Sequence, residues 1–220
     1  RFVRGVVDSA DLPLNVSRQR LQEDRHITQI RKWLIRKILD SLEEMQRNEP
    51  DKYVAFWKQF GRALKEGASF DFDNKDKLLS LYMFETSDDA EKLTSLKEYV
   101  GRMKEGQSAI YYLTGSSRRA VENSPHLEAF KEKGYEVLYL VDPVDEILTQ
   151  WLPEFESKKL KSIAKGVADL GEEKDLKEKA QGYAKLIDAL QKRLEDRVKE
   201  VRLSSRLTSS PACLVVAEHD

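Results

Sequence analysis

The chain has 220 residues, with 38 Lys or Arg against 39 Asp or Glu, so it is heavily charged at 35% yet almost neutral overall. That balance argues against a nucleic-acid footprint, which needs a basic excess gathered on one face, and the alternation of sign through 172–179 and 192–200 fits solvated helix faces. The single cysteine, Cys213, excludes an internal disulfide and predicts a reducing compartment; with no run of about 18 apolar residues and no secretory leader pattern, a soluble cytoplasmic parent without a membrane partner is expected.

Residues 1–7 are rich in valine and partly alternate, which reads as a strand. Asp8, Ser9, Asp11, Pro13, Asn15 and Ser17 then favour turns and caps, with Ser17 as the N-cap of a helix. In that helix Leu21, Ile27, Ile30, Leu34, Ile38, Leu42 and Met45 recur at helical spacing and predict a long amphipathic element ending near Asn48. Pro50 fits the first turn of the next helix, in which Tyr53, Phe56, Trp57, Phe60 and Leu64 form a core stripe before Gly67 stops it. Residues 77–83 read as a shorter helix. Ser95 with Glu98 is a capping-box pattern opening a helix of Leu96, Tyr99, Val100 and Met103. Together these form a helical block.

Strand and helix patterns then alternate: a strand over 109–113, a helix over 125–133, a strand over 137–141, a helix over 143–152 and a strand over 160–163. Ser124–Pro125 and Asp142–Pro143 read as N-cap and first-turn pairs, and Gly134 stands where a helix stops. Nearly all-apolar strands in βαβαβ order predict a small three-layer domain with a parallel sheet between helices. Small and charged residues over 165–175 mark a boundary. Beyond it Leu176, Ala180, Tyr183, Ile187, Leu190 and Leu194 give a helix with one narrow apolar seam, for a sheet or for a coiled-coil partner. Strands over 198–203 and 212–216, joined by the polar turn of Ser209, Ser210 and Pro211, would supply the sheet. The fold class is α/β, α+β over the whole chain: a helical block, the βαβαβ domain, then the helix-plus-strands opening of a further domain. Arg1 in place of Met, and the apolar run near the end, lead us to expect that both ends are cuts from a longer protein.

Little in this pattern carries self-contained chemistry. His26, His126 and His219 are far apart and match no metal-ligand spacing, so no metal is expected. Gly115 with Ser116, Ser117, Arg118 and Arg119 lacks a phosphate-loop pattern and reads as a strand-to-helix loop. Asp145 and Glu146 suit the dipole at a helix start. Arg18 differs, because it stands at a loop-to-helix junction with Gln22 one turn on. A guanidinium there suits a phosphate presented by another domain, or a plain ion pair with Glu23 or Asp24.

Phe2-Val3-Arg4-Gly5-Val6-Val7-Asp8-Ser9, Asp11-Leu12-Pro13-Leu14-Asn15-Val16-Ser17-Arg18 and Leu21-Gln22 resemble the signature loop of the heat-shock protein 90 chaperone family. The resemblance continues through Phe56-Trp57, Phe60-Gly61, Leu64-Lys65-Glu66-Gly67, Arg102-Met103-Lys104-Glu105-Gly106-Gln107, Ile110-Tyr111-Tyr112, Asp145-Glu146 and Glu154-Phe155. It ends with 197–203, Arg206-Leu207-Thr208 and Ser210-Pro211-Ala212, covering essentially the whole chain. Compact spacers make it most similar to the bacterial, high-temperature protein G branch of that family.

The resemblance implies a homodimeric, ATP-driven clamp that binds unfolded or partly folded client proteins. Residues 1–24 would end the large middle subdomain with its catalytic loop, 25–106 would be a helical connector, 107–166 the small α/β middle subdomain, and 167–220 the truncated start of the C-terminal domain. By resemblance Arg18 contacts the terminal phosphate of ATP, Gln22 supports the same loop and Asn15 helps shape it. Gln19 stands where a glutamate is expected and alters only local charge. ATP and Mg would be held by an N-terminal domain outside this chain, so the chain alone is expected to be inactive and monomeric. Glu146, Ile147 and Trp151 are the client-binding candidates, because the helix over 143–152 is apolar around almost its full circumference, with Asp145, Glu146 and Gln150 as rim. A non-catalytic client or co-chaperone platform is the alternative.

Overall fold

The computed structural model describes residues 3–8, 25–68, 71–166 and 179–216. It divides into two compact units: one comprises 1–83 with 95–97, the other 84–94 with 98–220.

In the first unit, helix α1 (Arg25–Asn48) ends where the periodicity places its end, while its expected Ser17 cap and Leu21 lie outside the described residues; helix α2 (Pro50–Ala68) begins at Pro50 as expected. Burial on α1 grows along its length: Ile27, Ile30, Leu34 and Ile38 are half-buried, and Leu39 and Leu42 are buried. On α2, Tyr53 and Trp57 are buried one turn apart and Leu64 two turns further along the same face, with Phe56 and Phe60 half-buried beside them. A short 3₁₀ turn (Phe72–Asn74) leads into helix α3 (Lys75–Ser80). Lys77 on α3 pairs with Asp40 on α1. The Leu81–Tyr82 link is fully buried: Tyr53 Oη donates to the Leu81 carbonyl, Tyr82 Oη donates to the Leu64 carbonyl at 3.2 Å, and the Trp57 and Tyr82 rings lie 5.7 Å apart. The helix expected over 77–83 therefore ends at Ser80. Met83 instead opens a strand, because Leu81 and Tyr82 already fill the core and Leu81 N and Tyr82 N close the last turn on Leu78 and Leu79.

The sheet comprises β1 (Met83–Thr86), β2 (Thr94–Ser95), β3 (Ala109–Thr114), β4 (Val137–Leu140), β5 (Glu154–Phe155) and β6 (Lys158–Ser162), in the order β2-β1-β4-β3-β6-β5. Its centre is parallel as the βαβαβ pattern requires: β3 pairs with β4 (Tyr111 opposite Val137) and with β6 (Ile110 opposite Leu160). Its flanks are antiparallel, β1 on β4 and β5 on β6, a feature the pattern does not predict. Glu156 and Ser157, both at positive φ (46° and 61°), form the two-residue turn between β5 and β6, the conformation that matches the twist of paired strands.

Helix α4 (Leu96–Arg102) begins directly after Ser95, at the expected place. Helix α5 (Arg118–Glu122) follows the Gly115 loop, capped by Ser117 Oγ accepting from Ala120 N. The helix expected from Pro125 opens as a 3₁₀ turn (Pro125–Leu127), capped by Ser124, and continues as α6 (Glu128–Lys133) until Gly134 stops it in the left-handed conformation, φ 62°. Ala109, Tyr111 and Leu113 of β3 and Val137 and Tyr139 of β4 meet Val121, Leu127 and Phe130 on one sheet face. Alternation sends Ile110, Leu138 and Leu140 to the other face, where helix α7 (Val144–Trp151) buries Val144 and Leu148, with Leu152 after it.

Beyond 166, helix α8 (Ala184–Leu194) has no buried residue; of the expected seam, Tyr183 and Leu190 are exposed, Ile187 and Leu194 half-buried, and Leu176 lies outside the described residues. No strand forms over 3–7, 198–203 or 212–216; the one pairing there is a parallel bridge between Lys165 and Val216. Valine-rich composition alone does not make a strand, and among the described residues these segments find no further strand partner. Among the described residues no helix is long and apolar enough to cross a membrane.

Candidate functional site

Arg18, Gln22 and Asn15 lie outside the described residues, as does His219. The remaining predicted site residues, Glu146, Ile147 and Trp151, are all on α7, and the fold gives that helix two unequal sides.

Pro143 occupies the N-cap position, one residue after Asp142, where the sequence pattern places the cap. The first turn is closed the other way round: Asp145 Oδ2 accepts from Asp142 N at 3.1 Å, while Asp145 N donates to the Asp142 carbonyl at 2.9 Å. Asp145 is accordingly buried, at 1% exposure, and does not rim a surface patch as expected. Its carboxylate is compatible with burial because it sits on an amide donor at the positive end of the helix. Leu148 and Leu152 continue the buried line at steps of four. Across the sheet face, the Tyr112 hydroxyl meets the side chains of Thr149 and Ser162, and burial pushes its pKa above the ordinary phenol value.

The opposite side is open. Ile147 is 50% exposed, Glu146 and Gln150 are exposed, and Trp151, four residues after Ile147 on the same line of the helix, is half-buried. An apolar strip with a carboxylate and an amide beside it can hold an extended apolar segment weakly. It has no group placed for acid–base or nucleophilic chemistry.

Arg118, in the loop read as an ordinary strand-to-helix turn, is engaged through all three of its guanidinium nitrogens. It donates to Glu122 at 2.7 Å, to Glu85 at 3.3 Å and to the Thr86 carbonyl at 3.0 Å, and lies 5.1 Å from the centre of the Tyr139 ring. These bonds turn the guanidinium towards its own chain rather than towards an outside anion. Cys213 is half-buried, and desolvation raises its thiol pKa, away from the reactive thiolate form. Sequence reasoning missed Glu128 and Arg206, which tie together segments about 80 and 40 residues apart; no local pattern announces such a pairing.

The chain belongs to the Hsp90 family, whose model, described as Hsp90 protein, matches residues 1–220. Within it the relatives are bacterial. The chain is 54% identical to the chaperone protein HtpG of Geobacter sulfurreducens, with 100% of this chain and 35% of that protein covered. It is 53% identical to the HtpG of Frankia casuarinae (98% and 34% covered) and 52% identical to that of Streptomyces coelicolor (98% and 35%). The chain spans about a third of the length of these relatives.

Proposed function

We propose that this chain is a working part of an ATP-dependent molecular chaperone: it offers the Ile147–Trp151 strip of α7 to unfolded or partly folded clients and lends Arg18 to an ATP site in an N-terminal domain. The observation that carries the client half is Ile147, half exposed on a helix whose other side is fully packed. Single exposed apolar residues are ordinary, but a pair four apart with Trp as one member forms a continuous strip. Glu146 at the rim favours clients carrying basic residues beside apolar ones.

The nucleotide half is supported by the loop motif around Arg18 and by membership of the Hsp90 family. On this reading Gln22 and Asn15 hold the loop, and ATP with Mg is bound by the N-terminal domain; the guanidinium supplies positive charge where the terminal phosphate is transferred. The organisation into a catalytic loop over 1–24, a connector over 25–106, a small α/β subdomain over 107–166 and a C-terminal start over 167–220 belongs to the same proposal, as do the cytoplasmic setting and homodimerisation of the whole protein. The test of the client site is capture of a labelled, chemically unfolded protein by this chain and by Ile147→Ser/Trp151→Gln. Reduced capture with an unchanged melting curve supports the strip; equal capture removes it.

A further inference from the structure

The segment 204–216 is fastened to the α/β unit by charged groups and backbone, with little help from apolar burial. Glu128, the first residue of α6, points its carboxylate at three consecutive amides. Its Oε2 accepts from Thr208 N at 2.7 Å, Ser209 N at 2.8 Å and Ser210 N at 3.1 Å, and its Oε1 accepts from the Ser210 hydroxyl. Successive amides turned to one point form an anion-binding concavity, and here a carboxylate from 80 residues upstream fills it.

Two residues earlier the polarity is reversed. Arg206 is only 3% exposed, and its partners are carbonyl oxygens: Nη1 donates to Ile163 at 2.8 Å, and Nη2 to Lys165 at 3.2 Å and to Gly166. These are the residues just beyond β6. The Arg206 carbonyl in turn accepts from Ala129 N at 3.1 Å, next to Glu128. The strap ends in the Lys165–Val216 bridge, in which Gly166 N donates to the Val216 carbonyl at 3.1 Å and Val216 N to the Ala164 carbonyl at 3.3 Å. None of its apolar side chains is fully buried: Leu207, Cys213 and Val215 are half-buried, and Leu214 is 72% and Val216 44% exposed. A segment held by hydrogen bonds at its margin, with few buried apolar contacts, opens at a lower free energy than the sheet it lies on.

We propose that Glu128 and Arg206 form a two-point clasp that fastens residues 204–216 to the α/β unit and opens without unfolding that unit, so that the strap is a conformational device of this chain. Closed, it makes the chain after α8 move with the β3–β4–β6 sheet. Open, it frees that stretch while the sheet stays intact.

Residue-resolved hydrogen exchange on the full 220-residue chain tests the clasp. In the unaltered chain the amides of Thr208, Ser209 and Ser210 should exchange at least about tenfold faster than those of Leu113 and Tyr139. Glu128→Gln, which keeps one acceptor but loses the charge, should speed exchange at 208–210 by a further tenfold or so and leave β3 and β4 unchanged. Arg206→Lys keeps the charge but cannot span three carbonyls; it should raise exchange at Gly166 and Val216. If Arg206→Lys proves too unstable to measure, Glu128→Gln still decides. Unchanged exchange at 208–210 in Glu128→Gln, or a loss of protection spread equally over the sheet, overturns the proposal.

Discussion

Ile147 and Leu148 are adjacent in sequence yet stand at opposite extremes of α7, one 50% exposed and the other 2%. Their substitutions should separate binding from stability. Leu148→Ala leaves a cavity against the sheet and should cost about 2–5 kcal/mol in a denaturant titration. Ile147→Ser should change stability by less than about 1 kcal/mol while lowering capture of an unfolded protein severalfold.

The Tyr99 hydroxyl joins three chain segments: it donates to the Glu136 carbonyl at 2.6 Å and accepts from Gln107 Nε2 at 2.9 Å and Tyr111 N at 3.0 Å. Burial pushes its pKa well above the ordinary phenol value. Tyr99→Phe keeps the ring but strips these buried groups of their partner, so a loss of about 1–3 kcal/mol is expected. A denaturation midpoint unchanged from the parent chain would contradict this.

Gly61 lies under the Trp57 ring: a Cβ there would sit 2.6 Å from Trp57 Cε2. Alanine in a helix gains about 1 kcal/mol over glycine, whereas displacing a buried indole costs about 1–3 kcal/mol. Trp57 is packed against Tyr82, which blocks its retreat, so Gly61→Ala should be net destabilising, with a red shift of tryptophan emission as the check.

The Glu128 carboxyl is held far below the usual carboxylate range, first by the Ser210 hydroxyl and then by the amides of Ser209, Thr208 and Ser210. Cys213 interacts electrostatically with it, and Arg206 does so with both Cys213 and His126. A depressed folded-state pKa contributes stability above the unfolded value and loses it only as pH falls through the folded one. Amides 208–210 should therefore remain protected at about pH 4, where an ordinary glutamate is largely protonated. Loss of that protection between about pH 5 and pH 4 would contradict the geometry.

Strong local punctuation makes much of the fold legible. Pro50, the Ser124–Pro125 pair and Gly134 mark helix ends, and the apolar runs at 109–113 and 137–141 mark the parallel centre of the sheet. The run Leu81-Tyr82-Met83-Phe84 misleads because a buried strand and a buried helix end are equally apolar and neither alternates. β2 and β5 are two residues long and leave no period to detect. Residues 198–203 and 212–216 have the composition of strands but pair among the described residues only at the Lys165–Val216 bridge, which composition does not encode. On α7, the apolar circumference requires that some residue face outward, and Ile147 does. That Asp145 turns inward depends on its bond to Asp142 N, a tertiary detail. The Glu128 and Arg206 contacts span 80 and 43 residues and have no local signature.

Mixing this chain with the separately produced N-terminal domain proposed to hold ATP, and following ATP turnover, tests the proposed role of Arg18 most directly. The chain should stimulate turnover, and Arg18→Ala should remove the stimulation by several orders of magnitude, as loss of a transition-state guanidinium does. Stimulation that survives Arg18→Ala undiminished would contradict the assignment.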